Sequence, residues 1–230
     1  MKDVWHLQDL DWLRVLDPAQ IEGLRSASSA RSYAVGEVIF TPVPNPNSLY
    51  LLERGLVRIY RLSERGLETS LGYVKPGEVF GELTVFGDYP RESFAQAVEL
   101  SVVWRIPRAC FQPYLESTPG LAFAISKQIG ERLKRIESRV ENLVFRDVHT
   151  RVILILSELG ASFGTVRDDG SILIDVQITQ AELATLVGSS RQSVNASLGD
   201  LSDRGLISRS GRRLVLLKPE ELRKSARPYD

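Results

Sequence analysis

Short apolar runs separated by turn residues fill the chain from about residue 31 to residue 106. The runs are rich in valine, isoleucine, leucine and tyrosine, and glycine or proline stands in the breaks between them. Many short strands at regular spacing are typical of a sandwich or barrel, so this part of the chain predicts a β-roll, or jelly roll. The predicted strands cover residues 37–40, 49–52, 56–62, 69–74 and 101–106.

A period of three and four residues replaces this pattern after Pro119 and Gly120. Apolar residues recur at alternating steps of four and three, and charged residues fill the positions between them. This a/d pattern predicts a long helix that pairs with a copy of itself. The alternative is an amphipathic helix lying on the chain's own β-domain. The residues of the predicted dimer seam are Ile129, Leu133, Ile136, Val140 and Leu143.

Two short helices joined by a tight turn are predicted in the last third of the chain. Thr179 can cap the first helix, with Glu182 in the capping-box position. Gly188 allows the turn, because glycine tolerates backbone conformations that other residues avoid. Ser189 is expected to cap the second helix, with Gln192 in the matching position. The residues expected to face inward are Leu183, Val187, Val194, Leu198 and Leu201.

The segments on either side of these two helices complete a second domain. Residues 148–159 predict a helix that Gly160 closes, and residues 172–178 alternate as a strand. After the second helix, a basic segment at residues 208–213 lies between two apolar runs, which predicts a β-hairpin.

Polar side chains mark the amino-terminal end of the second helix of the pair, which is predicted at residues 190–201. Arginine can form a bidentate pair with guanine, and glutamine or asparagine can do so with adenine. Such a row is typical of a recognition helix in the DNA major groove, and arginines of the hairpin supply cations for phosphates. The alternative is a solvated helix whose polar residues have no function. The predicted contacts with double-stranded DNA are Arg191, Gln192, Ser193, Asn195, Thr179, Ser189, Arg209, Arg212 and Arg213.

The composition of the 230 residues limits the other functions to consider. Lysine and arginine total 29, as do aspartate and glutamate, so DNA binding has to rest on a local basic patch. The single cysteine, Cys110, indicates a reducing, cytoplasmic environment. With two histidines besides, the chain offers too few ligands for a zinc or iron–sulfur site. A haem with one axial ligand is the alternative left open, but no feature of the sequence indicates it, and we expect no metal. We find no signal peptide, membrane span, P-loop or serine-elbow motif, and expect neither membrane association nor enzyme activity.

Three segments of the chain resemble the Crp/Fnr transcription regulators: GEVFGEL from Gly77, NLVFRDV from Asn142 and VGSSRQSV from Val187. The resemblance covers nearly the whole chain. It implies an α+β fold with a cyclic-nucleotide-binding-like β-roll, a long dimerisation helix and a carboxy-terminal winged helix-turn-helix. It also implies a homodimer that reads a two-fold symmetric operator, with RNA polymerase as a further partner. The three parts are expected at residues 1–118, 119–147 and 148–230.

The effector site of that family is only partly present. In the cyclic-nucleotide-binding relatives, a glutamate takes the ribose hydroxyl, and an arginine followed by a serine holds the phosphate. Gly81 and Glu82 match the first part of this pattern. Glu92 stands beside Ser93 at the position of the phosphate-binding arginine, and a carboxylate repels a phosphate. Arg91 reaches that position only if one residue is deleted.

The long helix also departs from the family's effector site. Ile136 and Glu137 stand where the relatives have a threonine and a serine that contact adenine. We therefore expect no control by cyclic AMP and no cofactor. A different small effector, a partner protein bound to the roll, and a cyclic-nucleotide-activated regulator remain as alternatives. For Glu82 and Arg91, the alternative role is a salt bridge or a turn contact within the roll.

The predicted DNA-reading row differs from that of the catabolite-activator type of relative as well. Arg191 matches the arginine that pairs with guanine, whereas Gln192 replaces a glutamate and Ala196 replaces a second arginine. We therefore expect a half-site that keeps one guanine contact, with adenine as the partner of Gln192 or Asn195.

Overall fold

The computed structural model describes residues 10, 12–87, 89–210 and 213–226. The described residues form two compact units. One unit contains those of residues 1–65 and 71–135, and the other contains those of residues 66–70 and 136–230. Helices and sheets occur in both units, so the predicted α+β class is confirmed.

Eight strands in the described residues build the amino-terminal roll: β1 (Ser29–Tyr33), β2 (Val38–Phe40), β3 (Ser48–Arg54), β4 (Val57–Leu62), β5 (Glu68–Val74), β6 (Val79–Phe80), β7 (Phe94–Ala97) and β8 (Ser101–Pro107). They form two four-stranded sheets, in the orders β1-β8-β3-β6 and β2-β7-β4-β5. In the first sheet all neighbouring strands are antiparallel. The predicted β-roll is therefore confirmed.

Strand β3 is buried on both faces, and its alternation separates two layers of the roll's interior. Tyr50 and Leu52 share a cluster with Val57 of the other sheet, so the two sheets pack face to face. Leu49 and Leu51 point the opposite way, into a cluster that helices cover. The covering helices are α1 (Pro18–Ala27), α2 (Leu83–Phe86), α3 (Arg108–Ser117) and the first turns of α4 (Pro119–Phe145).

The predicted strands are all present, as β2, β3, β4, β5 and β8, with ends shifted by at most two residues. Strand β1 is not predicted because its residues are exposed except for Tyr33, so it carries no apolar pattern. Pairing with β8 over five residues holds it in place. Strands β6 and β7, which are two and four residues long, are not predicted either.

Helix α4 confirms the predicted long helix, and its apolar residues fall into two groups. Leu121 and Ile125 are buried in the helix-covered cluster, and Ile129 packs against it. Farther along, Leu133 and Val140 expose 53% and 55% of their surface. The alternative of a helix lying on its own β-domain thus holds for the first turns, while later turns present apolar side chains to solvent. In the described part of the chain, no helix has the length and hydropathy that crossing a membrane requires.

The carboxy-terminal region forms a winged helix-turn-helix. Its strands make one sheet in the order β11-β12-β10-β9, with β11 and β12 as the predicted wing hairpin, and the helices α5, α6 and α7 contact one another. The elements are α5 (Val148–Phe163), β9 (Gly164–Val166), β10 (Ile172–Ile174), α6 (Gln180–Val187), α7 (Arg191–Asp203), β11 (Ile207–Ser210), β12 (Arg213–Leu216) and α8 (Pro219–Lys224).

Two boundaries predicted for this region are wrong. Helix α5 does not end at Gly160 but continues to Phe163. A side chain at residue 160 would come within 2.7 Å of Leu216, so the glycine lets α5 pack closely on β12 instead of ending the helix. The strand predicted at residues 172–178 ends at Ile174, because β9 offers it only three partners.

Candidate DNA-binding surface and effector region

The helix-turn-helix begins with the predicted capping box on α6. The Thr179 hydroxyl accepts a hydrogen bond from the Glu182 amide at 3.1 Å, and the Glu182 carboxylate accepts one from the Thr179 amide at 2.8 Å. Gly188 ends α6 with φ of 67°, in the left-handed region that favours glycine. The predicted cap and the predicted glycine turn are both confirmed.

The cap of α7 lies one residue later than predicted. Ser190 is the capping residue, and its hydroxyl accepts from the Ser193 amide at 3.1 Å. The prediction of Ser189 is wrong because the chain uses that residue to finish α6, where its amide donates to the Ala184 carbonyl at 3.1 Å. Gln192 is therefore not a capping-box residue, and its side chain is exposed.

Helix α7 is buried on one face and exposed on the other at its amino-terminal end. Val194, Leu198 and Leu201 are buried, as predicted. The opposite face carries guanidinium, amide and hydroxyl groups on a rigid first turn, which can meet the edges of bases in a groove. The exposed residues of this face are Ser190, Arg191, Gln192, Asn195 and Ala196, and Ser193 is half-buried beside them.

The wing places its arginines in different surroundings. Arg209 is exposed on β11, whereas Arg213 on β12 lies 3.5 Å from the carboxylate of Asp175. Arg212 lies outside the described residues. An exposed ion pair contributes at most about 1 kcal/mol, so Arg213 can exchange its aspartate for a phosphate at little cost.

Arg91, a predicted effector residue, is buried and directs its guanidinium at groups of the roll itself. Its Nη2 donates to the carbonyl oxygens of Ser48 at 2.6 Å and Gly81 at 3.3 Å. The guanidinium also lies 4.2 Å from the ring centre of Phe40 and 5.3 Å from that of Tyr50. Burial lowers the pKa of Arg91 below its ordinary value, and Tyr50 opposes the shift. Gly81 has a φ of 69°, in the left-handed region that favours glycine, and a side chain there would also come within 2.9 Å of the guanidinium.

Glu82 is buried and forms an ion pair with Arg132 of α4. The Nη1 of Arg132 donates to both carboxylate oxygens, at 3.0 and 3.3 Å, and its Nη2 donates to the Val79 carbonyl at 3.0 Å. One turn earlier, Gln128 accepts from the Val79 amide at 3.2 Å and donates to the Val79 carbonyl at 2.5 Å. These side chains of α4 therefore fix it to β6, and Glu82 forms a salt bridge with a residue of α4 instead of one within the roll.

The other predicted effector residues are Ser93, Ile136 and Glu137, and Glu92 stands beside Ser93. Glu92 is exposed and pairs with Arg61, and Ser93 is half-buried. On α4, Ile136 is half-buried and Glu137 is exposed.

The sequence does not predict the structural roles of two arginines, Arg132 and Arg151. The charge pattern of α4 places Arg132 among the solvated residues between the seam positions. Its one available signal is that it follows Gln128 by four residues and so shares its helix face. Arg151 bonds to main-chain carbonyl oxygens, a type of contact for which the sequence carries no signal.

Comparison with protein families agrees with this two-part architecture. The profile of the Cyclic nucleotide-binding domain matches residues 30–118. The profile of the Crp-like helix-turn-helix domain matches residues 150–225.

Individual relatives cover nearly the whole chain. The CRP-like cAMP-activated global transcriptional regulator of Mycobacterium tuberculosis is 29% identical over 212 residues, which is 92% of this chain and 94% of that protein. The Anaerobic regulatory protein of Bacillus subtilis is 31% identical over 205 residues, with coverage of 88% and 85%. Among solved structures, a CRP/FNR family transcriptional regulator from Thermus thermophilus has a TM-score of 0.71 at 26% identity, covering 88% of this chain and 100% of that one.

The buried ion pair predicts a large difference between two similar substitutions. Glu82→Gln leaves Arg132 without its carboxylate, and we expect the free energy of unfolding to fall by about 3 kcal/mol. The matched control is Glu92→Gln, which alters an exposed pair and is expected to cost less than about 1 kcal/mol. Urea denaturation followed by circular dichroism measures both. Equal losses in the two variants would contradict a structural role of the Glu82–Arg132 pair.

Proposed function

Because the chain belongs to the CRP/FNR family of DNA-binding transcription regulators, we propose that it acts as a homodimer that reads a two-fold symmetric operator without cyclic AMP. The observation that carries this proposal is the row of exposed polar side chains at the start of α7. The helix itself is capped by Ser190 and buried on its opposite face. In a two-fold dimer the two copies of this row meet successive half-sites about one helical turn apart.

Helix α7 is suited to reading bases because its donors stand on a fixed first turn. The Ser190 cap holds that turn, and Val194 anchors its inner face. The fork of Arg191 fits the O6 and N7 acceptors of guanine, and the amides of Gln192 and Asn195 fit adenine. Further proposed DNA contacts are Thr179, Ser189, Ser193, Arg209, Arg212 and Arg213.

Apolar exposure on α4 supports pairing of two protomers. Leu133 and Val140 are seven residues apart, so they lie on one stripe of the helix, and both expose more than half of their surface. Val144, four residues beyond Val140, is 67% exposed. A second α4 packed against this stripe would remove these side chains from water. The proposed seam keeps all five residues named from the sequence, with Ile129 at its edge because it also packs on the roll.

Independence from cyclic AMP is supported by the way the roll uses its own charged groups. Glu82 is occupied by Arg132, and Arg91 is occupied by the carbonyls of Ser48 and Gly81. A nucleotide would have to displace these bonds and would still meet Glu92. Family membership does not fix the signal, since one relative is named as cAMP-activated and another as an anaerobic regulator.

We also propose the functional division into residues 1–118, 119–147 and 148–230. Helix boundaries support it, because α3 ends at Ser117, α4 ends at Phe145 and α5 begins at Val148. RNA polymerase is the proposed protein partner, because the family regulates transcription. The single cysteine supports a cytoplasmic location.

The test is selection of binding sites from a randomised duplex pool by the purified protein, with and without cyclic AMP. Enrichment of one symmetric site in both arms supports the proposal. Enrichment only with the nucleotide would contradict its independence from cyclic AMP. A lack of enrichment in both arms would contradict sequence-specific binding by the protein alone.

For the dimer, Leu133→Asp combined with Val140→Asp is expected to yield folded monomers. Both residues are exposed in the single protomer, so the changes remove the pairing surface without opening the core. Sedimentation measures the mass and circular dichroism the fold. The control is Leu100→Asp, at a residue 71% exposed on the roll, which is expected to remain dimeric. A doubly substituted protein that still sediments as a dimer would refute the proposed seam.

For base reading, Arg191→Ala is expected to cost about 1–3 kcal/mol of binding free energy and to relax specificity at one base pair of each half-site. Fluorescence anisotropy on the selected site and on its single-base variants measures this. The matched control is Arg223→Ala on α8, where the arginine pairs with Glu220. If the loss is the same on every sequence, Arg191 contacts a phosphate instead of a base.

A further inference from the structure

Two helices, α4 and α6, end within the carboxy-terminal unit. The last turns of α4 and α6 contain no basic residue. A helix end of this kind carries partial negative charge and carbonyl oxygens that lack a partner within the helix. A cation supplied from elsewhere is therefore favoured at both ends.

Arg151, on the first turn of α5, supplies that cation to both. Its Nη1 donates to the carbonyl of Leu143 in the last turn of α4 at 3.4 Å and to that of Arg146 in the following link at 3.3 Å. Its Nη2 donates to the carbonyl of Gly188, the turn residue after α6, at 3.3 Å. The planar fork of a guanidinium suits such a bridge because its donors point in several directions at once.

Packing joins the same two places. A side chain on Gly188 would come within 2.5 Å of the Cδ2 of Leu143, so the turn rests directly on the end of α4. Arg139, one turn before Leu143, forms an ion pair with Glu158 in the middle of α5 at 2.9 Å. The last ten residues of α4 thus make an apolar contact with the turn at Gly188 and an ion pair with α5.

We infer that Arg151 is a positioning residue that fixes the turn at Gly188 to the end of the long helix and thereby sets the placement of the recognition helix. Only Ser189 and Ser190 separate Gly188 from Arg191, so a displacement of the turn reaches the base-reading residues at once. This inference rests on the proposed function of α7. It gives the long helix a direct connection to DNA recognition.

The first experiment needs no DNA. In the full-length protein, Arg151→Gln removes the charge, and we expect faster hydrogen exchange at the amides of residues 188–193. Exchange in the buried middle of α5 should stay unchanged, which also shows that the variant is folded. The matched control, Arg223→Gln, makes the same change on α8 and should leave the turn unaffected. Unchanged exchange at residues 188–193 would overturn the inference.

The second experiment measures binding to the site selected by the wild-type protein and to a random duplex. We expect Arg151→Gln to lose about tenfold on the selected site and much less on the random duplex. The dependence of affinity on salt should stay the same, and Arg151→Lys should recover part of the loss because it keeps the charge. Equal losses on both duplexes, with a salt slope lower by about 0.9, would make Arg151 a phosphate contact and overturn the inference. If the wild type selects no site, the proposed sequence-specific DNA binding is wrong. The hydrogen-exchange data still decide whether Arg151 fixes the turn at Gly188.

Discussion

Burial of the Glu82 carboxylate determines where the long helix sits on the roll. Its side chain is 4% exposed, and a buried charge is strongly destabilising unless a partner and hydrogen bonds compensate it. Arg132 provides the charge, and together with Gln128 it also binds the main chain of Val79. These groups stand on successive turns of α4, so the helix is fixed in both position and rotation. Leu133, on the same stretch of α4, keeps an exposed apolar side chain.

The same contacts support the proposed independence from cyclic AMP. The glutamate and the arginine of the effector segment are present as residue types, but Glu82 is paired with Arg132 of α4 and Arg91 is bonded to a carbonyl oxygen of the roll. In this chain, Glu82 and Arg91 therefore make contacts that stabilise the structure.

The electrostatic attraction of this protein to DNA is modest. The chain has as many acidic as basic residues, and aspartates of the same domain pair with Arg213 and Arg204. Long-range attraction to DNA is therefore limited, and recognition depends more on how well α7 is placed than on net charge. The contacts at Gly188 are therefore important, because Leu143 and Arg151 connect this turn to the end of α4.

The order of the elements, five strands of the roll, the wing hairpin, the long helix and the buried face of α7 follow from the sequence, because they depend on local turn chemistry and on periodic apolar residues. The row of polar side chains on α7 also follows from the sequence, because the apolar residues mark the buried face and the remaining positions must face solvent. Strand β1, the cap at Ser190 and the role of Gly160 do not follow, because each is fixed by a neighbour or by packing that the local pattern does not show. The same holds for the partners of Glu82, Arg91 and Arg151. A charged residue looks alike in sequence whether it binds water, a ligand or a distant carbonyl oxygen, and only the tertiary structure brings it to one of them.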